Sequence, residues 1–204
     1  MACHVCPWWL GYLLLSPLRR LGQDPHVLLS PHVRADMTVL EVGPGMGYFS
    51  LELGRLVGPQ GRVTCTELQP RMLRGLRRRL ERAGLAARFD LRHVGADSLA
   101  VQDLADRVDF ALLFAVVHEV ADQRRLFAEV FAALRRGGAL LVAEPSGHVS
   151  AKAFAASEAL ATEAGFEVAS RPLIRRSRAV LLVKTDCRMA SASHSPGLPA
   201  RRGV

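Results

Sequence analysis

The sequence predicts an open, doubly wound α/β sheet, mostly parallel, with helices on both faces. Three observations carry this. Short apolar runs bounded by turn residues alternate with amphipathic helical patterns of about 10–15 residues, the signature of strand–helix–strand units. Glycines stand just past three of the predicted helices, at Gly58, Gly84 and Gly165, where left-handed backbone closes a helix. The first apolar run leads straight into a glycine-rich loop that opens a helix.

The elements follow in order from residue 38. Strands are predicted at 38–42, 62–67, 89–94, 108–117 and 139–144, and helices at 48–57, 70–83, 123–135 and 150–164, with Gly137-Gly138 stopping the third. Two strands, 166–170 and 179–184, finish the pattern with no helix between them. They are therefore expected to pair antiparallel, because a parallel crossover needs more chain. Before residue 36, Pro7, Pro17, Pro25 and Pro31 limit regular structure to short helices near 8–15 and 17–21. Residues 1–35 are read as an N-terminal extension or lid, 36–185 as the ligand-binding domain, and the Ser-, Pro-, Gly- and Arg-rich residues 186–204 as a disordered tail.

The chain has 204 residues, half of them apolar and 23% charged, which suits one globular domain. Its net charge is +8, and nearly all the positive side chains are arginine. Arg71, Arg74, Arg77, Arg78, Arg79 and Arg82 crowd one helix, read as a solvated face because no aromatics interleave with them. Cys3, Cys6, Cys65 and Cys187 do not make a disulfide framework in a chain this long, so a reducing, cytoplasmic setting is expected. Cys3-His4-Val5-Cys6 has no second pair at zinc-site spacing, and no metal is expected. The apolar run 5–15 is broken by Pro7 and Gly11, and is too short to span a bilayer.

The loop reads E-V-G-P-G-M-G, residues 41–47, with Gly43, Gly45 and Gly47 at alternate positions. A dinucleotide loop has the spacing G-x-G-x-x-G, and Tyr48 stands where its third glycine belongs. Glu41 would repel a pyrophosphate and attract an ammonium. Glu67 closes the second strand, twenty residues past Gly47, where a carboxylate can accept both hydroxyls of a ribose. These features ask for a ribose, a nearby cation and no phosphate, which S-adenosylmethionine supplies.

This loop, with the strand-ending acid of R-V-T-C-T-E, resembles the class I S-adenosylmethionine-dependent methyltransferases, in particular small-molecule, type 11-like domains. The resemblance spans about residues 36–185. It implies a Rossmann-like fold with a final antiparallel strand, and S-adenosyl-L-methionine as cofactor. It assigns Glu41, Gly43, Gly45 and Gly47 to the methionyl part and Glu67 to the ribose. Asp97 and Ser98, in G-A-D-S-L, are its candidates at the adenine.

The fourth strand ends in F-A-V-V-H-E-V-A-D, similar to the ending of many small-molecule methyltransferases of this class. His118 and Glu119 are thus catalytic candidates, with Glu144 at the next strand end, and His148 is a substrate candidate. Trp8, Trp9 and Tyr12 are expected to form an aromatic cover over a small-molecule acceptor. Nucleic acid is not the expected partner. The competing readings are a nicotinamide-dependent oxidoreductase and a non-catalytic protein binding RNA or a membrane surface.

Overall fold

The structure is a computed structural model that describes residues 22–185. It begins with α1 (Pro25–Leu29), which the sequence reading does not anticipate. Asp24 caps it by accepting from the His26 and Val27 N–H groups, and Pro25 takes the first turn, where a missing N–H costs nothing. Leu29 and Val33, inside the predicted extension, are buried in the core.

From there the chain alternates as the pattern predicts: β1 (Thr38–Val42), α2 (Ser50–Leu56), β2 (Arg62–Glu67), α3 (Pro70–Arg82), β3 (Phe89–His93), β4 (Val108–Phe114), α4 (Gln123–Ala133), β5 (Leu134–Pro145), α5 (Ala151–Glu163), β6 (Phe166–Ser170) and β7 (Ser177–Lys184). The strands form one sheet in the order β3-β2-β1-β4-β5-β7-β6. Pairing is parallel from β3 through β5. β7 lies between β5 and β6, antiparallel to both, so the last two strands pair as expected.

Two apolar layers cover the sheet, and strand alternation assigns each side chain to one of them. Leu40, Val42, Leu113, Leu140 and Val142 face Leu126, Phe127 and Val130 of α4 and Phe154 of α5. Val39, Val63, Cys65, Phe110 and Leu112 face Phe49 and Leu53 at α2, and Leu76 and Leu80 of α3. Period two therefore turns Glu41 toward the α2 side, with Val39. It turns Glu144 toward the α4 side, with Val142.

Two boundaries differ from expectation for physical reasons. The fourth strand stops at Phe114 rather than running on to residue 117. Ala115 takes a left-handed φ of 57°, and the chain folds into a tight turn over Val117–Glu119. The third predicted helix ends at Ala133, and Leu134 already pairs with Val108. Gly137 and Gly138 thus lie inside β5, at a register shift, and do not merely stop a helix. A Cβ on Gly138 would sit 2.8 Å from the Arg135 carbonyl oxygen and 3.0 Å from that of Val108, so the shift requires glycine there.

Candidate functional site

A cavity of about 480 Å³ opens at the carboxyl ends of β1, β2 and β4. Strand order reverses between β1 and β4, and such a switch point is where open α/β sheets bind ligands. The β1–α2 loop forms its floor. Gly43, Gly45 and Gly47 all have left-handed φ, at 66°, 55° and 83°. A Cβ at Gly43 would meet Val116 at 2.7 Å, and one at Gly47 would meet Leu76 at 2.4 Å. At Gly45 it would meet nothing within 4 Å. Packing thus accounts for two of the glycines, and the third presents bare backbone to the cavity. Arg79 of α3 braces the loop from behind, donating to the carbonyls of Met46 at 2.5 Å and Gly47 at 3.0 Å. Among the crowded arginines of that helix it is half-buried, while Arg71, Arg74, Arg77, Arg78 and Arg82 are exposed.

Two buried carboxylates flank the loop. Glu41 accepts from Ser50 Oγ at 2.6 Å and from the Cys65 thiol at 3.5 Å. Burial pushes its pKa up to about 7, against the pull of those two neutral donors. The Cys65 thiol is raised well above its usual range by burial and by Glu41. Glu67 accepts from the backbone N–H of Gly45 at 3.1 Å on one oxygen and of Gln69 at 2.8 Å on the other. Its pKa is also raised by burial, with the backbone donors opposing. Between them in the cavity wall, Thr66 has a buried hydroxyl with no hydrogen-bond partner among the described residues.

Asp97 and Ser98 line the cavity beyond β3. Asp97 is exposed. Ser98 Oγ donates to Glu129 Oε2 at 3.2 Å and accepts from Ala100 N at 3.0 Å, so its hydroxyl is engaged within the wall. Glu129 also accepts from Leu99 N at 2.6 Å and pairs with Arg125. The sequence reading gave no role to Glu129 or Ser50, and it placed Arg79 on a solvated face rather than against the glycine loop. The helical spacing of Arg125 and Glu129 is the one local signal among these, since the other contacts join distant segments.

At the catalytic edge the candidates separate. Glu119 and His148 line the cavity; His118 and Glu144 lie behind the turn that follows β4. Glu144 is 2% exposed, and its Oε1 accepts from Val116 N at 3.1 Å and Val117 N at 2.8 Å. Its other oxygen hydrogen-bonds His118 Nδ1. Glu144, expected at the substrate, is thus committed to holding the turn that ends β4. The ring of His118 lies 6.4 Å from that of His148.

The hydrogen bond with Glu144 raises the pKa of His118 above its ordinary 6.5. The pair therefore stabilises the fold fully below that ordinary value, and the contribution fades as pH rises through the raised one. Replacing Glu144 with Gln should lower the His118 pKa in an NMR titration and cost about 1–3 kcal/mol of stability in denaturant unfolding. An unmoved titration would show that the contact does not hold the ring.

Trp8, Trp9, Tyr12, Cys3 and Cys6 lie outside the described residues, as do both short helices predicted before residue 22. Among the described residues no group of three or more His, Cys, Asp or Glu is arranged to hold a metal ion, and no helix is long and apolar enough to cross a membrane.

The residues fit S-adenosylmethionine better than a dinucleotide. Carboxylates stand at the ends of β1 and β2, bare backbone faces the cavity at Gly45, and the wall arginines, Arg125 and Arg176, come from neither the glycine loop nor β2. Fold and site together define a nucleoside-binding α/β domain of the methyltransferase kind. Residues 39–138 match the family described as "Methyltransferase domain". Over those residues the chain is a methyltransferase domain of the class I, S-adenosylmethionine-dependent kind, and S-adenosylmethionine is its cofactor.

A ubiquinone/menaquinone biosynthesis C-methyltransferase UbiE from Marinomonas sp. is 29% identical over 65% of this chain and 51% of its own length. A ribosomal RNA small subunit methyltransferase A from Corynebacterium jeikeium is 36% identical over 45% of this chain and 31% of its own. The chain thus spans about half the length, or less, of these relatives. A SAM-dependent methyltransferase from Aquifex aeolicus shares the fold, with a TM-score of 0.80 at 19% identity over 89% of this chain and all of that one.

Proposed function

We propose that this protein transfers a methyl group from S-adenosylmethionine to a small-molecule acceptor by in-line displacement, with residues 36–185 as the catalytic domain and a cytoplasmic setting. The observation that carries the reading is the pair of buried carboxylates, Glu41 and Glu67, on either side of a glycine loop that leaves its backbone open to the cavity at Gly45. The cofactor, when bound, supplies an activated methyl on a good leaving group. The protein's task is then to align the acceptor and exclude water.

In this reading Glu41 faces the cationic methionyl end, and Gly43, Gly45 and Gly47 let the backbone approach it. Glu67 accepts from the ribose hydroxyls, each of its oxygens keeping a lone pair beyond its present bond. Asp97 and Ser98 border the adenine. Glu119 and His148 face the acceptor, while Glu144 and His118 position the turn that walls it. Phe114, Val116 and Leu112 give the cavity apolar surface suited to a planar ring. The name of the UbiE relative supports methylation at carbon of a quinone-related ring.

Isothermal titration with S-adenosylhomocysteine tests the cofactor site. Micromolar binding is expected, and none at high protein concentration would refute the reading. Methyl-labelled cofactor incubated with a pool of phenolic and quinol-type compounds, and separately with RNA, tests the acceptor. Label transferred to RNA alone would overturn the small-molecule assignment.

A further inference from the structure

Arg176 is exposed and is one of the residues lining the same cavity, and its guanidinium has no hydrogen-bond or ion-pair partner among the described residues. Of the 19 acidic side chains of the protein, only Asp186 lies outside those residues, and residues 1–21 contain neither Asp nor Glu. In a wall that otherwise carries carboxylates such as Asp97, Glu119 and Asp122, an exposed guanidinium with no partner among the described residues is the group fitted to meet an oxyanion.

Its backbone is held there at some strain. Arg176 has a left-handed φ of 58°, a conformation that costs a non-glycine residue about 1 kcal/mol or more. Its carbonyl accepts from Ser146 N at 2.9 Å, and the next residue, Ser177, pairs with Pro145 across β5 and β7. His148, whose N–H donates to the Pro145 carbonyl at 3.0 Å, stands on that same β5–α5 turn and also lines the cavity. Two turns far apart in sequence are thus stitched together so that an arginine and a histidine share one rim. The buried carboxylates Glu41 and Glu67 lie at the other end, by the glycine loop.

We infer that Arg176 and His148 form an oxyanion seat, so that the methyl acceptor is a small molecule carrying an ionised oxygen, a phenolate or a carboxylate. The inference rests on the proposed methyl transfer and narrows its acceptor. A guanidinium at the rim lowers the pKa of a bound phenol. An ionised ring oxygen enriches the ring in electron density, whether the methyl goes to that oxygen or to a ring carbon.

The probe is 4-nitrophenol, whose phenolate absorbs visible light, titrated at a pH just below its own pKa with and without S-adenosylhomocysteine. Wild-type protein should raise the phenolate absorbance, and benzoate should displace the probe while benzamide does not. Arg176→Gln keeps the same Cβ and so the same backbone demand. It should weaken probe binding about tenfold or more, the loss of one charge-assisted hydrogen bond, and leave S-adenosylhomocysteine affinity unchanged. Arg176→Lys should recover part of the loss.

Equal displacement by benzoate and benzamide, or an unchanged Arg176→Gln variant, would overturn the seat. Failure of wild-type protein to bind S-adenosylhomocysteine would instead overturn the cofactor reading, because the titration without it still reads the seat.

Discussion

Glu41→Gln is expected to give a protein more stable at neutral pH and poorer at binding S-adenosylmethionine. The folded state raises this carboxyl from its ordinary 4.5 to about 7. Below pH 4.5 it is protonated whether the chain is folded or not, and stability does not depend on it. As pH rises from there to about 7, the unfolded chain gives up the proton and the folded chain keeps it, so stability falls. Above about 7 the loss is complete, on the order of 3 kcal/mol. A glutamine cannot ionise, and its carbonyl can still accept from Ser50 Oγ, so the variant's stability should lose this slope.

Cofactor binding should move the other way. A sulfonium and an ammonium favour the carboxylate, and wild-type protein should release a proton on binding near neutral pH. Titration calorimetry in buffers of different ionisation enthalpy reads that release, and Glu41→Gln should abolish it while weakening affinity. A variant with the same pH slope, or with full affinity and unaltered proton release, would remove Glu41 from the assigned role.

Glu67→Ala is expected to weaken S-adenosylhomocysteine binding about a hundredfold or more. Two charge-assisted contacts to ribose hydroxyls would be lost, each worth about 1.5–3 kcal/mol, and every 1.4 kcal/mol is about tenfold in affinity. The same substitution frees the N–H groups of Gly45 and Gln69, which Glu67 now ties together, so the loop should also loosen. Hydrogen exchange at Gly45 separates the two effects. Glu67→Gln, which keeps an acceptor for one of those N–H groups, should fall between wild type and Ala in affinity. Near-wild-type affinity in Glu67→Ala would reject the ribose contact.

How much of this was legible beforehand follows a physical line. The strand and helix pattern rests on periodicities of two and 3.6, which neighbouring residues carry themselves, and nearly every element emerged within a few residues of its predicted bounds. That Glu41, Gly43, Gly45 and Glu67 line one cavity was legible because a loop between a strand and a helix fixes where each one points, whereas Gly47 packs behind it against Leu76. The separation of His118 and Glu144 from the cavity was not. It depends on Ala115 turning the chain out of β4, and on a carboxylate from β5 meeting the N–H groups of Val116 and Val117. The 133–138 boundary was misjudged for a similar reason, since a pair of glycines looks the same after a helix as inside a register shift.

By itself, then, the sequence determined the order of elements, the antiparallel last pair and the cofactor, all read from short stretches of chain. Tertiary structure alone decided which polar groups remain available to a ligand. Glu144 is taken up by a turn 27 residues away, and Ser98 by a helix 31 residues on. Arg176 stays without a partner among the described residues, beside a cavity edge that β5 and β7 build together. Such commitments are pairings between residues far apart in the chain, and they exist only once the sheet has brought those residues together.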